Sequence, residues 1–128
     1  MTREKALKSA ETYFDDGQFL EDLKRRVAIK TESQIYECRK PDMNDYMNEM
    51  VETFEELGYE TEVFENPSAK AGPFFFGHRH ENSNNKTVLT YGHGDVIRGQ
   101  EERWEADLVP WQLTIKNNKI YGLSLIHI

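Results

Sequence analysis

The chain has 128 residues, with 23 acidic residues against 16 lysines and arginines, and its formal net charge is −7. This length is typical of one domain, and the negative charge argues against a nucleic-acid backbone or an anionic membrane as the main partner. The sequence has no apolar run long enough to span a bilayer, and its N-terminus lacks the apolar core of a signal peptide. A single cysteine, Cys38, excludes an internal disulfide and is interpreted as an ordinary thiol. We therefore expect a soluble, cytoplasmic protein.

Apolar residues at helical spacing predict three helices in the first half of the chain. The first covers residues 2–15, and the second follows with a charged face that we interpret as solvated rather than as a binding patch. The third is the clearest and spans Met43 to Leu57 before Gly58, with Asp42 or Asn44 as its cap. Its methionines also suggest an adaptable partner groove, but such a stripe is typical of a core.

The second half of the chain is predicted to form strands. Alternation over residues 59–63 predicts a strand with one solvated face near a sheet edge, and residues 72–77 predict a strand buried on both faces. Residues 86–91 predict a short buried strand, and residues 113–121 a hairpin that turns at Asn117-Asn118. Helices before and between strands predict an α/β layer fold.

The predicted strand 86–91 leads directly into the turn His93-Gly94-Asp95. The carboxyl ends of strands are where open α/β sheets bind ligands and metals. Zinc takes imidazole nitrogen as a ligand, and the other ring N–H of that histidine usually donates to an acceptor such as a carboxylate. Gly94 permits the tight turn that would bring the two side chains together. The pattern His-x-Asp alone also fits a structural histidine followed by a simple turn carboxylate.

The neighbours of this turn resemble the zinc exopeptidase family, which includes acetylornithine deacetylase, succinyl-diaminopimelate desuccinylase, glutamate carboxypeptidase, aminoacylase and carnosine dipeptidase. Family members carry Gly-His-x-Asp-Val, a tryptophan, a Pro-Phe or similar pair, and a hairpin that ends in Tyr-Gly-Arg-Gly. The similar segments here occur in the same order and cover nearly the whole chain to Gly122. They are Ile29–Ser33, Glu56–Tyr59, Tyr91–Val96, Trp104, Pro110-Trp111 and Ile115–Gly122.

The resemblance implies that residues 1–122 are the N-terminal portion of a catalytic domain with helices packed on a mixed, mostly parallel sheet. It implies an enzyme that uses two zinc ions, with cobalt or manganese possible instead, to hydrolyse an amide bond of a small peptide or N-acyl amino acid. By position, His93 would be a metal ligand, and Asp95 would be the catalytic acidic residue that orients its imidazole. No other residue of the chain matches a site residue of the family. The complete enzyme is expected to be a homodimer through a second domain.

The sequence departs from the family after Gly122. Family members continue with Arg-Gly, two variable residues and a bridging aspartate, whereas this chain continues with Leu123–Ile128. We interpret residues 123–128 as a non-native tail, with a natural truncation as the alternative, and do not assign His127 as a ligand. The other ligands and the general base would lie downstream, so we expect this chain to lack amidase activity. Several strands of the family sheet would also lie downstream, which leaves apolar faces such as Phe74–Phe76 without full cover, so we expect poor solubility of this chain by itself.

Other sites and functions fit the sequence less well. His78 and His80 form a His-x-His pair, which we interpret as a solvated strand end because no third ligand is indicated nearby. The main alternative to an enzyme is an α/β interaction module in which His93 and Asp95 are structural. A metallophosphoesterase would need the reverse Asp-x-His order, and a serine hydrolase would need a Gly-x-Ser-x-Gly turn that does not surround Ser124.

Overall fold

The structure is a computed structural model that describes residues 2–123. Helices, two short 3-10 segments and two β-hairpins follow one another along the chain, so the fold is mixed α/β. None of the helices in these residues is long and apolar enough to cross a membrane. The helices are α1 (Arg3–Asp15), α2 (Gln18–Ala28) and α3 (Tyr36–Glu56), the strands are β1 (Glu60–Phe64), β2 (Phe74–His78), β3 (Thr114–Lys116) and β4 (Lys119–Tyr121), and the 3-10 segments are Ser33–Ile35 and Glu101–Arg103.

Helices α1 and α2 match the first two predicted helices closely, and the structure shows that they form a hairpin. Gly17 allows the reversal because its φ is +80°, a backbone conformation that favours glycine. The ring of Phe19 packs against Tyr13 and Phe14, and the Tyr13 hydroxyl donates to Asp22 at 2.5 Å. No residue of α1 is buried, so this hairpin depends on ring contacts and polar bonds at its closed end.

Helix α3 begins seven residues earlier than predicted, at Tyr36 instead of Met43, and Pro41 lies within it. Asp42 and Asn44 are therefore not caps. A proline lacks the N–H of the helical ladder, which is why the sequence favoured a start after it. The additional residues form about two turns. They are stabilised by a contact outside the backbone ladder, since Arg39 Nε donates to the Glu32 carboxylate at 2.7 Å. Met43 is buried, as a core interpretation of the methionine stripe requires, but it is the one buried residue of α3, and Leu57 at the end of the stripe is 55% exposed.

Strands β1 and β2 pair antiparallel and pack one face on α3. Phe75 points to that face, where its ring centroid lies 4.9 Å from that of Phe54. The prediction that residues 72–77 are buried on both faces is wrong, because Phe74 and Phe76 are more than half exposed. In the part of the chain that the structure describes, α3 covers one face of this two-stranded sheet and no second layer covers the other.

The predicted hairpin in residues 113–121 is observed as β3 and β4. Asn117 and Asn118 both have positive φ, 52° and 60°, which is the geometry of a two-residue turn that matches strand twist. The pairing joins Thr114 to Tyr121 and Lys116 to Lys119.

The predicted buried strand 86–91 is absent. Val88, Leu89 and Tyr91 are 82%, 89% and 90% exposed, and the segment forms no ladder. A strand requires a neighbour for its N–H and C=O groups, and residues 2–123 provide one only after this segment, where Val96 forms a parallel bridge with Glu32. Both sheets are antiparallel hairpins, so the mostly parallel sheet is not observed in the described residues.

Candidate metal centre

The turn His93-Gly94-Asp95 is fastened to the segment that precedes α3. Val96 N–H donates to the Thr31 carbonyl at 2.9 Å, and Ser33 N–H donates to the Val96 carbonyl at 3.1 Å. The buried Thr31 hydroxyl donates to the Gly94 carbonyl at 2.6 Å. Thr31 and Gly94 are 63 positions apart in sequence. Two of the segments that resemble the family therefore lie side by side.

The space at position 94 admits no side chain larger than that of glycine. A Cβ at this position would overlap the ring of Tyr46, which comes from α3. Burial of that ring raises the pKa of the Tyr46 hydroxyl above its ordinary value. The turn is thus held from two sides, because the Thr31 hydroxyl donates to the Gly94 carbonyl and the Tyr46 ring packs against the Gly94 Cα.

Within the turn, the imidazole of His93 contacts Asp95. Its Nδ1 lies 3.1 Å from the Asp95 carboxylate oxygen Oδ1 and 3.1 Å from the Asp95 backbone carbonyl. In the tautomer with the proton on Nδ1, that N–H donates to these two acceptors, and Nε2 is the nitrogen that would coordinate a metal. Both side chains are partly accessible to solvent. The structure therefore brings together the two residues that the sequence predicted as ligand and orienting partner.

A zinc site at this turn would need more donors than the turn itself contains. A catalytic zinc takes about three protein ligands and a water, and cobalt or manganese would need a comparable set. No group of three or more His, Cys, Asp or Glu side chains placed to hold a metal occurs among residues 2–123. His93 and Asp95 would supply one ligand and its support. His78 and His80 stack with ring centroids 6.4 Å apart and belong to no such group, and His127 lies outside the described residues.

Sequence reasoning gave no role to Glu32, although it lies in a segment that resembles the family. Glu32 is only 3% exposed. Its Oε2 accepts from Arg39 Nε at 2.7 Å, and its Oε1 accepts from Gly99 N–H at 2.9 Å. This carboxylate thus joins α3 to the loop that follows the His-Gly-Asp turn. The sequence contained one local signal for this role, the position of Glu32 between Thr31 and Ser33. The pattern of charges along a sequence does not reveal which carboxylates are buried.

Both tryptophans fix the same loop. Trp104 Nε1–H donates to the Gly99 carbonyl at 2.9 Å, and Trp111 Nε1–H donates to Glu101 Oε1 at 2.8 Å. The bond from Trp111 lowers the pKa of the Glu101 carboxyl, and the positive charges of Lys30 and Arg39 act in the same direction. The tryptophans that contributed to the resemblance therefore have structural partners beside the candidate site.

Comparison of the chain with protein-family models, with curated proteins and with solved structures finds no match in any of the three.

Proposed function

We propose that this chain is the N-terminal part of a dinuclear zinc-dependent metallopeptidase or amidohydrolase, one that cleaves an amide bond of a small peptide or an N-acyl amino acid. The observation that carries the proposal is the 3.1 Å contact between His93 Nδ1 and the Asp95 carboxylate. It supports the roles suggested by the resemblance, with His93 as a ligand through Nε2 and Asp95 as the residue that orients it.

The surroundings of the turn support the same proposal. A ligand must be held in a fixed orientation to favour metal binding, and this turn is fixed by the Thr31 hydroxyl and the Tyr46 ring. When bound, zinc supplies Lewis-acid chemistry for the attack of water on an amide carbonyl. Residues of the chain bind and orient: His93 holds the metal, and Asp95 keeps the proton of His93 on Nδ1.

The remaining features are part of the same proposal. Residues 1–122 belong to the catalytic domain, whose complete sheet is mostly parallel, and residues 123–128 are a non-native tail. The complete enzyme is a cytoplasmic homodimer, and the missing ligands and the general base come from beyond residue 122. The 128-residue chain has no amidase activity, since one ligand does not fix a catalytic zinc.

The test compares two histidine variants in the complete enzyme, with zinc content and hydrolysis of N-acyl amino acids and dipeptides as the readouts. His93→Gln is expected to lose both bound zinc and activity. His78→Gln is the matched control and is expected to retain both, because His78 lies at the end of β2 and belongs to no group of three or more potential ligands within residues 2–123. Retention of zinc and activity in His93→Gln would contradict the proposal.

A second candidate is an α/β interaction module without catalysis, in which His93 and Asp95 are structural. Exposed apolar side chains favour it, because Phe76, Val88 and Leu89 are each more than half exposed, and a binding partner commonly covers such side chains. In that case, His93→Gln would change the free energy of unfolding by less than about 0.5 kcal/mol and would leave metal content unchanged.

A further inference from the structure

A half-open cavity of about 460 Å³ lies between the start of α3 and the loop that follows the His-Gly-Asp turn. One wall comes from residues in the segment 32–39, and the other from residues in the loop 98–103. Its volume is within the range of sites for small molecules. Neither His93 nor Asp95 lines it, so it is distinct from the candidate metal centre.

The loop wall is rigidly built. Gly99 is held at both backbone groups, since its N–H donates to Glu32 and its carbonyl accepts from Trp104. The ring of Trp111 leaves no space for a side chain there, because a Cβ on Gly99 would lie 2.8 Å from it. The next residue, Gln100, has a φ of +48°, and its carbonyl accepts from Arg103 N–H at 2.8 Å. The backbone of this wall is thus fixed before a ligand binds, so its ordering adds little to the entropic cost of binding.

The charges that line the cavity are not all satisfied internally. Glu32 is paired with Arg39, and Glu101 accepts from Trp111. By contrast, the guanidinium groups of Arg98 and Arg103 form no hydrogen bond or ion pair with any residue that the structure describes. Among the charged lining side chains, Arg98 and Arg103 are the cations without a partner in the described residues, whereas two of the three lining carboxylates already have partners.

We propose that this cavity binds a small molecule through its carboxylate, with Arg98 and Arg103 as the binding groups. A guanidinium matches a planar carboxylate with two parallel N–H···O bonds. A singly charged carboxylate suits this cavity better than a phosphate dianion, because the Glu102 carboxylate also lines it and repels higher negative charge. The inference is independent of the zinc proposal, because it uses none of the proposed metal residues.

The two tryptophans provide the readout, because they are the only ones in the chain and both bond to the loop. The 128-residue chain is titrated with N-acetylglycine at constant ionic strength while tryptophan fluorescence is recorded. N-acetylglycinamide, which has the same shape without the charge, is the matched neutral ligand, and inorganic phosphate is the second anion. We expect a saturable change with N-acetylglycine, no saturation with the amide, and weaker binding of phosphate.

Three arginine variants locate the site. Arg98→Gln and Arg103→Gln are each expected to weaken the binding of N-acetylglycine roughly 10-fold or more, the usual effect of losing a charged hydrogen bond. Arg3→Gln removes the same charge from an exposed position in α1 and is expected to have no effect. The proposal is overturned if N-acetylglycine does not saturate, if the neutral amide acts equally, if phosphate binds more tightly, or if all three variants behave alike.

Discussion

The packing of Tyr46 on Gly94 makes the substitution Gly94→Ala a sharp test of how the candidate metal turn is held. The new Cβ would overlap the Tyr46 ring, so the ring or the turn must move. The backbone of Gly94 is not in the left-handed region, and the cost is therefore one of packing. Forcing an extra methyl into such a contact costs about 1–3 kcal/mol. This is a large part of the roughly 5–15 kcal/mol that stabilises a typical domain.

Gly92→Ala is the matched control, because a Cβ at Gly92 meets nothing within 4 Å and its φ is also outside the left-handed region. We expect it to change the free energy of unfolding by less than about 0.5 kcal/mol. Urea unfolding followed by circular dichroism gives both values from the shift in midpoint. Combining Gly94→Ala with Tyr46→Ala should recover about 1–2 kcal/mol of the summed cost, because the clash is then absent. Equal stabilities of the two alanine variants, or strict additivity in the double variant, would refute this account of the turn.

Two further predictions concern other polar contacts. Glu32→Ala removes the carboxylate that joins Arg39 to the loop after the turn. It should lower the free energy of unfolding in urea by about 2–3 kcal/mol, because it leaves buried donors without an acceptor. Glu56→Ala, at an exposed position, is the control, and equal effects of the two substitutions would contradict the prediction. Tyr13→Phe removes the hydrogen bond that chiefly lowers the pKa of Asp22, and it should cost about 1 kcal/mol at neutral pH. Because the folded-state pKa of Asp22 is depressed, this stabilisation is present above the ordinary carboxyl pKa and lost as pH falls through the folded value. The pKa of Tyr13 is shifted in the opposite direction, upward. The stabilisation from the same hydrogen bond is therefore also lost when pH rises through that raised pKa. A difference in stability between wild type and Tyr13→Phe that does not change with pH would contradict this reasoning.

The sequence predicted best what short-range geometry decides. Helical spacing indicated α1 and α2, and Asn117-Asn118 indicated the turn between β3 and β4, because both signals depend on residues a few positions apart. The start of α3 was predicted too late, because Pro41 resembles a boundary and the hydrogen bond from Arg39 to Glu32, in the segment just before the helix, leaves no mark on helical spacing.

Long-range features were less predictable. Residues 86–91 have the composition of a strand, but a ladder also depends on a neighbouring strand, which the sequence pattern does not reveal. At the candidate site, the prediction that His93 and Asp95 would meet rested on the turn that Gly94 permits between them and on the resemblance. The contacts of Gly94 with Thr31 and Tyr46 could not be predicted, because they join residues that are far apart in the chain.

The most direct measurement for the central proposal is where a metal ion first contacts this chain. Imidazole ¹⁵N spectra of the 128-residue protein, recorded during a titration with Co²⁺, distinguish the ring nitrogens of each described histidine. We expect Nε2 of His93 to be broadened first, and Asp95→Asn to weaken that effect roughly 10-fold because the orienting carboxylate is lost. Broadening confined to His78 and His80, with the signals of His93 unchanged, would contradict the assignment of His93 as a metal ligand.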